Sequence, residues 1–308
     1  MSKTVVFFGT EDFSLFALKK LVEQGFSVAA VVTKPDTKRG RGGALTKPAV
    51  KVFAESHNIP VWQPNRLKEI EASISTLHDP IGVLVSYGKI IPQSIIDLFS
   101  PGIINVHPSL LPLYRGPSPI ESAILHRDAK TGVSIMKLSA QMDAGPIYYQ
   151  VPYALDQTET RPELYETLGQ LGANILAQVL PRIISGELVA SEQDHRDATY
   201  CKLLSKEDGR LDLTATTPGD AEAKIRAYLG FPRTRLSLLG HDIIVTKAHA
   251  VMTKQTPLDL ECANGAYLSI DELIAPSGKT MSGEAFHRGY QEPKLLQSLR
   301  QESHRDLR

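Results

Sequence analysis

Short β-branched runs and longer amphipathic segments alternate through the first half of the chain. Residues 5–8 form an unbroken apolar run, whereas residues 13–24 place Phe13, Phe16, Ala17, Leu18 and Leu21 at helical spacing. Gly25 follows where a helix would take its C-terminal cap. The same alternation predicts strands at 28–33, 61–62, 82–86 and 103–106, and helices at 49–56, 67–77, 91–99 and 119–126. Strands separated by helices in this order predict a Rossmann-like α/β fold, with a mostly parallel sheet covered on both faces. Residues 132–138 and 147–153 read as further strands at the sheet's edge. Thr160-Arg161-Pro162-Glu163 combines a cap residue, an early proline and a glutamate three positions on, so a helix is expected from here to about Ile184. Ser185-Gly186-Glu187 ends it.

From 188 to 204 the chain is polar and aperiodic, which predicts a linker. Beyond it the pattern changes. Residues 224–228 fit a helix, while 236–239, 243–246 and 267–270 are short strands between Gly, Pro and Asn turns. That pattern suits a small OB-like β-barrel of about 100 residues. The expected organisation is an α/β domain over 1–187, a linker over 188–204 and a C-terminal barrel over 205–308, with a helical or disordered tail from Leu295.

Composition narrows the picture. A chain of 308 residues with 42% hydrophobic side chains can bury more than one core. Basic and acidic residues balance at 34 each, which argues against a globally basic nucleic-acid coat but leaves room for a local patch. The two cysteines, Cys201 and Cys262, have no metal-ligand spacing and make no disulfide framework, as in a cytoplasmic protein. The first apolar run stops at Gly9-Thr10, too early for a secretory segment, and no stretch approaches the roughly 18 apolar residues of a membrane span. No membrane association is expected.

Chemistry concentrates in a few places. The first strand ends in Gly9-Thr10-Glu11-Asp12-Phe13, with one glycine where a dinucleotide turn wants three, so a plain tight turn is the better account. In Ile104-Asn105-Val106-His107-Pro108-Ser109-Leu110-Leu111-Pro112, strand alternation puts Asn105 and His107 on one face at a strand's carboxyl end. An Asn amide can donate to a developing oxyanion and an imidazole can exchange a proton near neutral pH. A structural hydrogen-bonded pair is the alternative, and the two prolines that fix the following loop favour the catalytic one. Asp143, in Gln141-Met142-Asp143-Ala144-Gly145-Pro146, is either an ordinary turn residue or a partner for His107. No nucleophilic Ser or Cys motif and no metal-ligand cluster accompanies them.

Together, the Asn105-to-Pro112 segment, Tyr114-Arg115-Gly116 and Met142-Asp143-Ala144-Gly145 resemble the signature of the 10-formyltetrahydrofolate-dependent formyltransferases. Gly9-Thr10-x-Asp12-Phe13, the loop from Tyr87 to Pro92 and a separate C-terminal domain bring the chain nearest to the members that formylate initiator methionyl-tRNA. The resemblance implies that Asn105 polarises the formyl oxygen, that His107 assists as donor or proton shuttle, and that Asp143 positions His107 or a water and helps deprotonate the amine. It places folate beside Tyr87, Gly88, Lys89, Ile90 and Ile91 and the 139–145 loop, with Ser109, Leu110, Leu111 and Pro112 completing the pocket. Direct acyl transfer needs no metal, and no protein partner is implied.

The charge pattern bears on the acceptor. Between Lys34 and Lys51 six basic residues face the single Asp36, and Gly40, Gly42 and Gly43 interrupt the run. A solvated loop is the plain account. The resemblance instead implies a tRNA clamp using Lys38, Arg39 and Arg41, with Lys206 as a further contact. From Cys201 onward 15 basic and 14 acidic residues nearly cancel, and Phe231-Pro232-Arg233-Thr234-Arg235 replaces an aromatic-rich family segment. The competing acceptors are small amines, namely glycinamide ribonucleotide or an amino-sugar nucleotide. The second domain fits glycinamide ribonucleotide poorly; amino-sugar nucleotide relatives can carry one, but the basic loop and Gly9-Thr10-x-Asp12-Phe13 fit them poorly.

Overall fold

The computed structural model describes residues 3–39 and 44–290 and divides into two compact units. The expected tail from Leu295 and the expected tRNA contact Arg41 lie outside the described residues. The first unit comprises Met1–Ala123, Ala129–Asp156 and Glu163–Leu203; the second comprises Ile124–Asp128, Gln157–Pro162 and Leu204–Arg308.

Among the described residues, nine strands belong to the first unit. They are β1 (Thr4–Gly9), β2 (Val28–Val32), β3 (Thr37–Arg39), β4 (Ala44–Thr46), β5 (Val61–Trp62), β6 (Pro80–Val85), β7 (Ile103–His107), β8 (Lys130–Lys137) and β9 (Ile147–Ala154). Seven form one sheet in the order β5-β2-β1-β6-β7-β8-β9, and β3 and β4 form a separate hairpin. Neighbours from β5 to β7 run parallel, whereas β8 and β9 are antiparallel additions. The central strands are apolar throughout because both faces are covered: Val5, Val6, Phe7 and Phe8 have no exposed surface, and all five residues of β7 are buried.

Helix α1 (Asp12–Glu23) buries Phe13, Ala17, Leu18 and Leu21 and stops at Gly25, whose φ is +75°. Helices α2 (Ala49–Ser56), α3 (Glu71–Ser75), α4 (Gln93–Ile96) and α5 (Pro119–Leu125) follow the strands, with Leu67–Ile70 in 3-10 form ahead of α3. The long α6 (Arg161–Ile184) packs under the strand that carries Asn105 and His107. A Cβ on Gly172 would stand 2.8 Å from Val106, so glycine lets the helix approach β7 closely. The hydroxyl of Tyr165 accepts the main-chain N–H of Phe13 at 2.7 Å, satisfying one of the free donors at the start of α1.

The second unit holds α7 (Pro218–Ala227), an antiparallel sheet of β10 (Thr234–Leu238), β11 (His241–Val251), β12 (Asp259–Glu261), β13 (Tyr267–Ile274) and β14 (Thr280–Ser282), and α8 (Gly283–Gly289). Its order is β10-β11-β13-β12, with β14 also on β13. Ala221, Ile225, Leu236, Ile243, Val245, Leu268, Leu273 and Phe286 fill its core. The 224–228 helix and the three expected strands are all present but longer, while β12, β14 and α8 have no counterpart among the expectations.

Candidate active site

Asn105 and His107 stand two residues apart at the end of β7, each only 5% exposed. The loop joining β8 to β9 folds back over them. Its base is closed by the N–H of Lys137 donating to the Pro146 carbonyl at 2.8 Å, and a Cβ at Gly145 would meet the Lys137 carbonyl, so only glycine fits there. The return brings Asp143, at φ +48°, over the strand end.

The three side chains converge. Asn105 Nδ2 donates to Asp143 Oδ1 at 3.5 Å, and His107 Nδ1 lies 3.8 Å from Asp143 Oδ2. His107 Nε2 is 2.9 Å from the carbonyl oxygen of Tyr114. The backbone N–H of Gly116 donates to Asp143 Oδ2 at 2.8 Å. Gly116 holds φ +120°, and a Cβ there would stand 2.3 Å from the Cys201 carbonyl oxygen. The result is an amide donor and an imidazole, both buried, beside a half-buried carboxylate, a setting in which fixed dipoles act more strongly than in water.

The Ser109–Pro112 loop is braced from within. Ser109, fully buried, donates its hydroxyl to the Leu113 carbonyl at 2.6 Å, and Ser134 Oγ donates to the Ser109 carbonyl at 2.7 Å. Gln150 Nε2 donates to the Leu111 carbonyl at 2.8 Å. Leu111 is buried, while Leu110 and Pro112 are half-buried.

Leu84 of β6 pairs with Asn105, so Tyr87 and its successors leave the sheet at the same edge as His107. Tyr87 is buried among apolar side chains, which pushes its phenol up to about 12 and leaves its oxygen without a hydrogen-bond partner. Gly88 has φ +69°, and Lys89 Nζ donates to the carbonyls of Pro64 and Asn65. Ile91 is buried whereas Ile90 is 86% exposed. A cavity of ≈ 420 Å³ opens beside this region, lined by Gln93, Ile96, Phe99, Lys137, Ser139 and Pro146 among others. It flanks the loop that carries Asp143 but is not lined by Asn105, His107 or Asp143.

Lys38 and Arg39 lie on β3 of the hairpin. Two of the other basic residues are internally paired: Lys47 with Glu55 at 2.8 Å, and Lys51 with Asp36 at 2.9 Å. Hydrogen bonds from Gln63 and then Lys51 hold the Asp36 carboxyl below its usual range. Lys206 is exposed and belongs to the second unit.

The segment from Ser191 to Lys202 supplies residues for which no role was anticipated. Arg115, 2% exposed, donates through Nε and Nη2 to Gln193 Oε1 at 3.1 and 2.7 Å. The segment also forms a main-chain seam with the loop after β7: Arg115 N–H donates to Thr199, Cys201 N–H to Arg115 and Thr199 N–H to Pro112. One sequence signal existed, an arginine inside a tight Pro- and Gly-rich loop, since a buried guanidinium needs acceptors. Its partner lay in an aperiodic stretch with no signal. Among the described residues no helix is long and apolar enough to cross a membrane, and no group of His, Cys, Asp and Glu could hold a metal ion.

The sequence and the fold have counterparts among known proteins. Residues 2–180 match the model of the formyl transferase family, and the chain belongs to that family. Relatives named methionyl-tRNA formyltransferase include one from Chloroflexus aurantiacus, 40% identical over 79% of each chain. Another, from Chloroflexus aggregans, is 36% identical over 94% of this chain and 98% of its own. Among solved structures, an N-formyltransferase from Helicobacter canadensis, in complex with folinic acid and dTDP-3-aminofucose, superposes with a TM-score of 0.67. It covers 88% of this chain and 99% of its own at 17% identity, a likeness of fold.

Proposed function

We propose that this protein transfers the formyl group of 10-formyltetrahydrofolate to the amino group of methionyl-tRNA, yielding N-formylmethionyl-tRNA for translation initiation in the cytoplasm. The observation that carries the chemistry is the convergence of Asn105 Nδ2 and His107 Nδ1 on the Asp143 carboxylate in a buried site. The neutral amine attacks the formyl carbon and a C–N bond forms. Asn105 donates to the oxygen as it becomes an oxyanion, the amine proton passes to the His107–Asp143 pair, and the bond to folate N10 breaks as that nitrogen regains a proton.

The folate site is assigned to the Tyr87–Ile91 loop, the 139–145 loop and Ser109–Pro112. What supports it is the parallel pairing of β6 with β7, which brings the Tyr87–Ile91 loop off the sheet at the edge where β7 carries His107. The tRNA contacts are assigned to Lys38, Arg39, Arg41 and Lys206. The second unit is read as an OB-like tRNA-binding domain, supported by its antiparallel sheet and by the near full-length match to the Chloroflexus aggregans relative.

The experiment supplies 10-formyltetrahydrofolate with methionyl-tRNA, glycinamide ribonucleotide or an amino-sugar nucleotide in separate reactions. Rapid formylation of methionyl-tRNA alone is expected. Transfer to a small amine with none to methionyl-tRNA would overturn the acceptor assignment while leaving the donor chemistry in place.

A further inference from the structure

We propose that Gln193 is a positioning residue for the formyl transfer, holding the main chain of Asp143 so that its carboxylate meets Asn105 and His107. This rests on the proposed catalytic role of Asp143.

Asp143 sits in the left-handed region at φ +48°, a conformation that aspartate reaches more readily than most side chains but that still leaves the loop to be fixed by its neighbours. The Gln193 amide holds it. Nε2 donates to the carbonyl oxygens of Asp143 and Gly145 at 2.8 and 2.7 Å, and Oε1 accepts both contacts from Arg115. A guanidinium only donates and a carbonyl only accepts, so the amide has one possible orientation, with both hydrogens and both lone pairs engaged. Gln193 is 6% exposed, so water does not substitute for these partners. Arg115 is itself fixed, with Nη2 reaching His195 Nδ1 at 2.9 Å and Nη1 donating to Tyr200 Oη at 3.3 Å.

The same corner grips Asp143 twice. The main chain after Arg115 presents the Gly116 N–H to the Asp143 carboxylate, and the Arg115 side chain, through Gln193, fixes the Asp143 carbonyl. Only a primary amide of this length serves both sides. Glutamate would keep a good partner for Arg115 but aim an acceptor at two carbonyls, and methionine offers neither contact.

That asymmetry makes Gln193→Glu the informative variant. It retains the Arg115 contact, so the fold should be kept, with a modestly lower melting midpoint, while the Asp143 loop is released. Turnover is expected to fall roughly 100-fold, the scale of a catalytic group misplaced by about 1 Å. KM for methionyl-tRNA should change little. Gln193→Met should show the same kcat-against-KM split with a lower melting midpoint, and stands in if the glutamate variant does not fold. The double variant Asp143→Ala/Gln193→Glu should be no slower than Asp143→Ala, because the amide acts only through that carboxylate. Wild-type turnover in both Gln193 variants, a loss confined to KM, or additive losses in the double variant would each overturn the proposal. Full turnover in Asp143→Ala would instead remove the catalytic role on which it rests.

Discussion

His107 and Tyr114 are joined by a 2.9 Å contact between the imidazole Nε2 and the main-chain carbonyl oxygen. Because a carbonyl only accepts, the contact assigns a hydrogen to Nε2 and leaves Nδ1 as the nitrogen that faces Asp143. In His107→Gln the new amide can still donate to the Tyr114 carbonyl, but nothing replaces Nδ1. Turnover in single-turnover formylation should fall by about 100-fold or more, the range for lost acid–base help. The melting curve should barely move. An active His107→Gln protein would dismiss Nδ1 from the chemistry.

Asn105 has one job in this scheme, donation to the developing oxyanion. Asn105→Ala removes that donor and is expected to cost on the order of 2.7–4 kcal/mol, or roughly 100-fold or more in turnover number. Steady-state kinetics should show KM for folate nearly unchanged, and near-normal formyl transfer would remove Asn105 from the mechanism.

Gly116→Ala tests the seam with residues 199–201. The added Cβ would stand 2.3 Å from the Cys201 carbonyl at a φ of +120°. Strain of at least ~1–3 kcal/mol is expected, read as a lower melting midpoint, together with loss of activity as the N–H turns away from Asp143. Gly186→Ala is the control: φ there is +76° with nothing within 4 Å, so only backbone strain is added and activity should persist.

In the second unit, burial pushes the Asp259 carboxyl up, but hydrogen bonds from Ser269, from the N–H groups of Gln255 and Thr256 and from Thr256 Oγ1 outweigh it and draw the value down to about 2. A carboxyl depressed on folding adds stability above its unfolded value and loses it as pH falls through the folded one. Asp259→Asn should therefore destabilise this unit by about 2 kcal/mol near pH 7. Denaturant curves of the two proteins should converge as pH falls from 3.8 to about 2. A difference that persists at pH 2 would contradict this account.

If the hairpin grips phosphate, Lys38/Arg39/Arg41→Ala should raise KM for methionyl-tRNA and flatten its salt dependence by roughly 0.7–0.9 in log–log slope per lost contact. Lys47→Ala should have a smaller effect, because its ammonium already answers Glu55. An unchanged slope in the triple variant would place the phosphate contacts elsewhere.

The central strands were legible because a doubly covered strand shows continuous apolar residues, and β7 carried Asn105 and His107 to its carboxyl end as alternation required. The approach of Asp143 was not legible from residue pattern. It depends on a loop doubling back over the sheet, fixed by contacts from Lys137, Gly116 and Gln193 that lie far apart in sequence. Residues 188–204 showed only polarity, since their order comes from main-chain pairing with the loop at Arg115 rather than from buried apolar faces. In the second unit β11 runs Ala248–Val251 beyond its apolar start, where alternation weakens, and three-residue strands such as β12 leave almost no periodic trace.

The seam between Arg115 and residues 199–201 also determines where the chain can be cut. The family match ends at residue 180, yet Gln193, Thr199 and Cys201 follow it and hold the loops that carry Asp143 and Arg115. A fragment stopped there would retain the sheet and all three converging side chains while losing the brace that aims one of them. Any exchange of residues 204 onward for another domain, by recombination or by design, must therefore join beyond Leu203, where the last segment of the first compact unit ends.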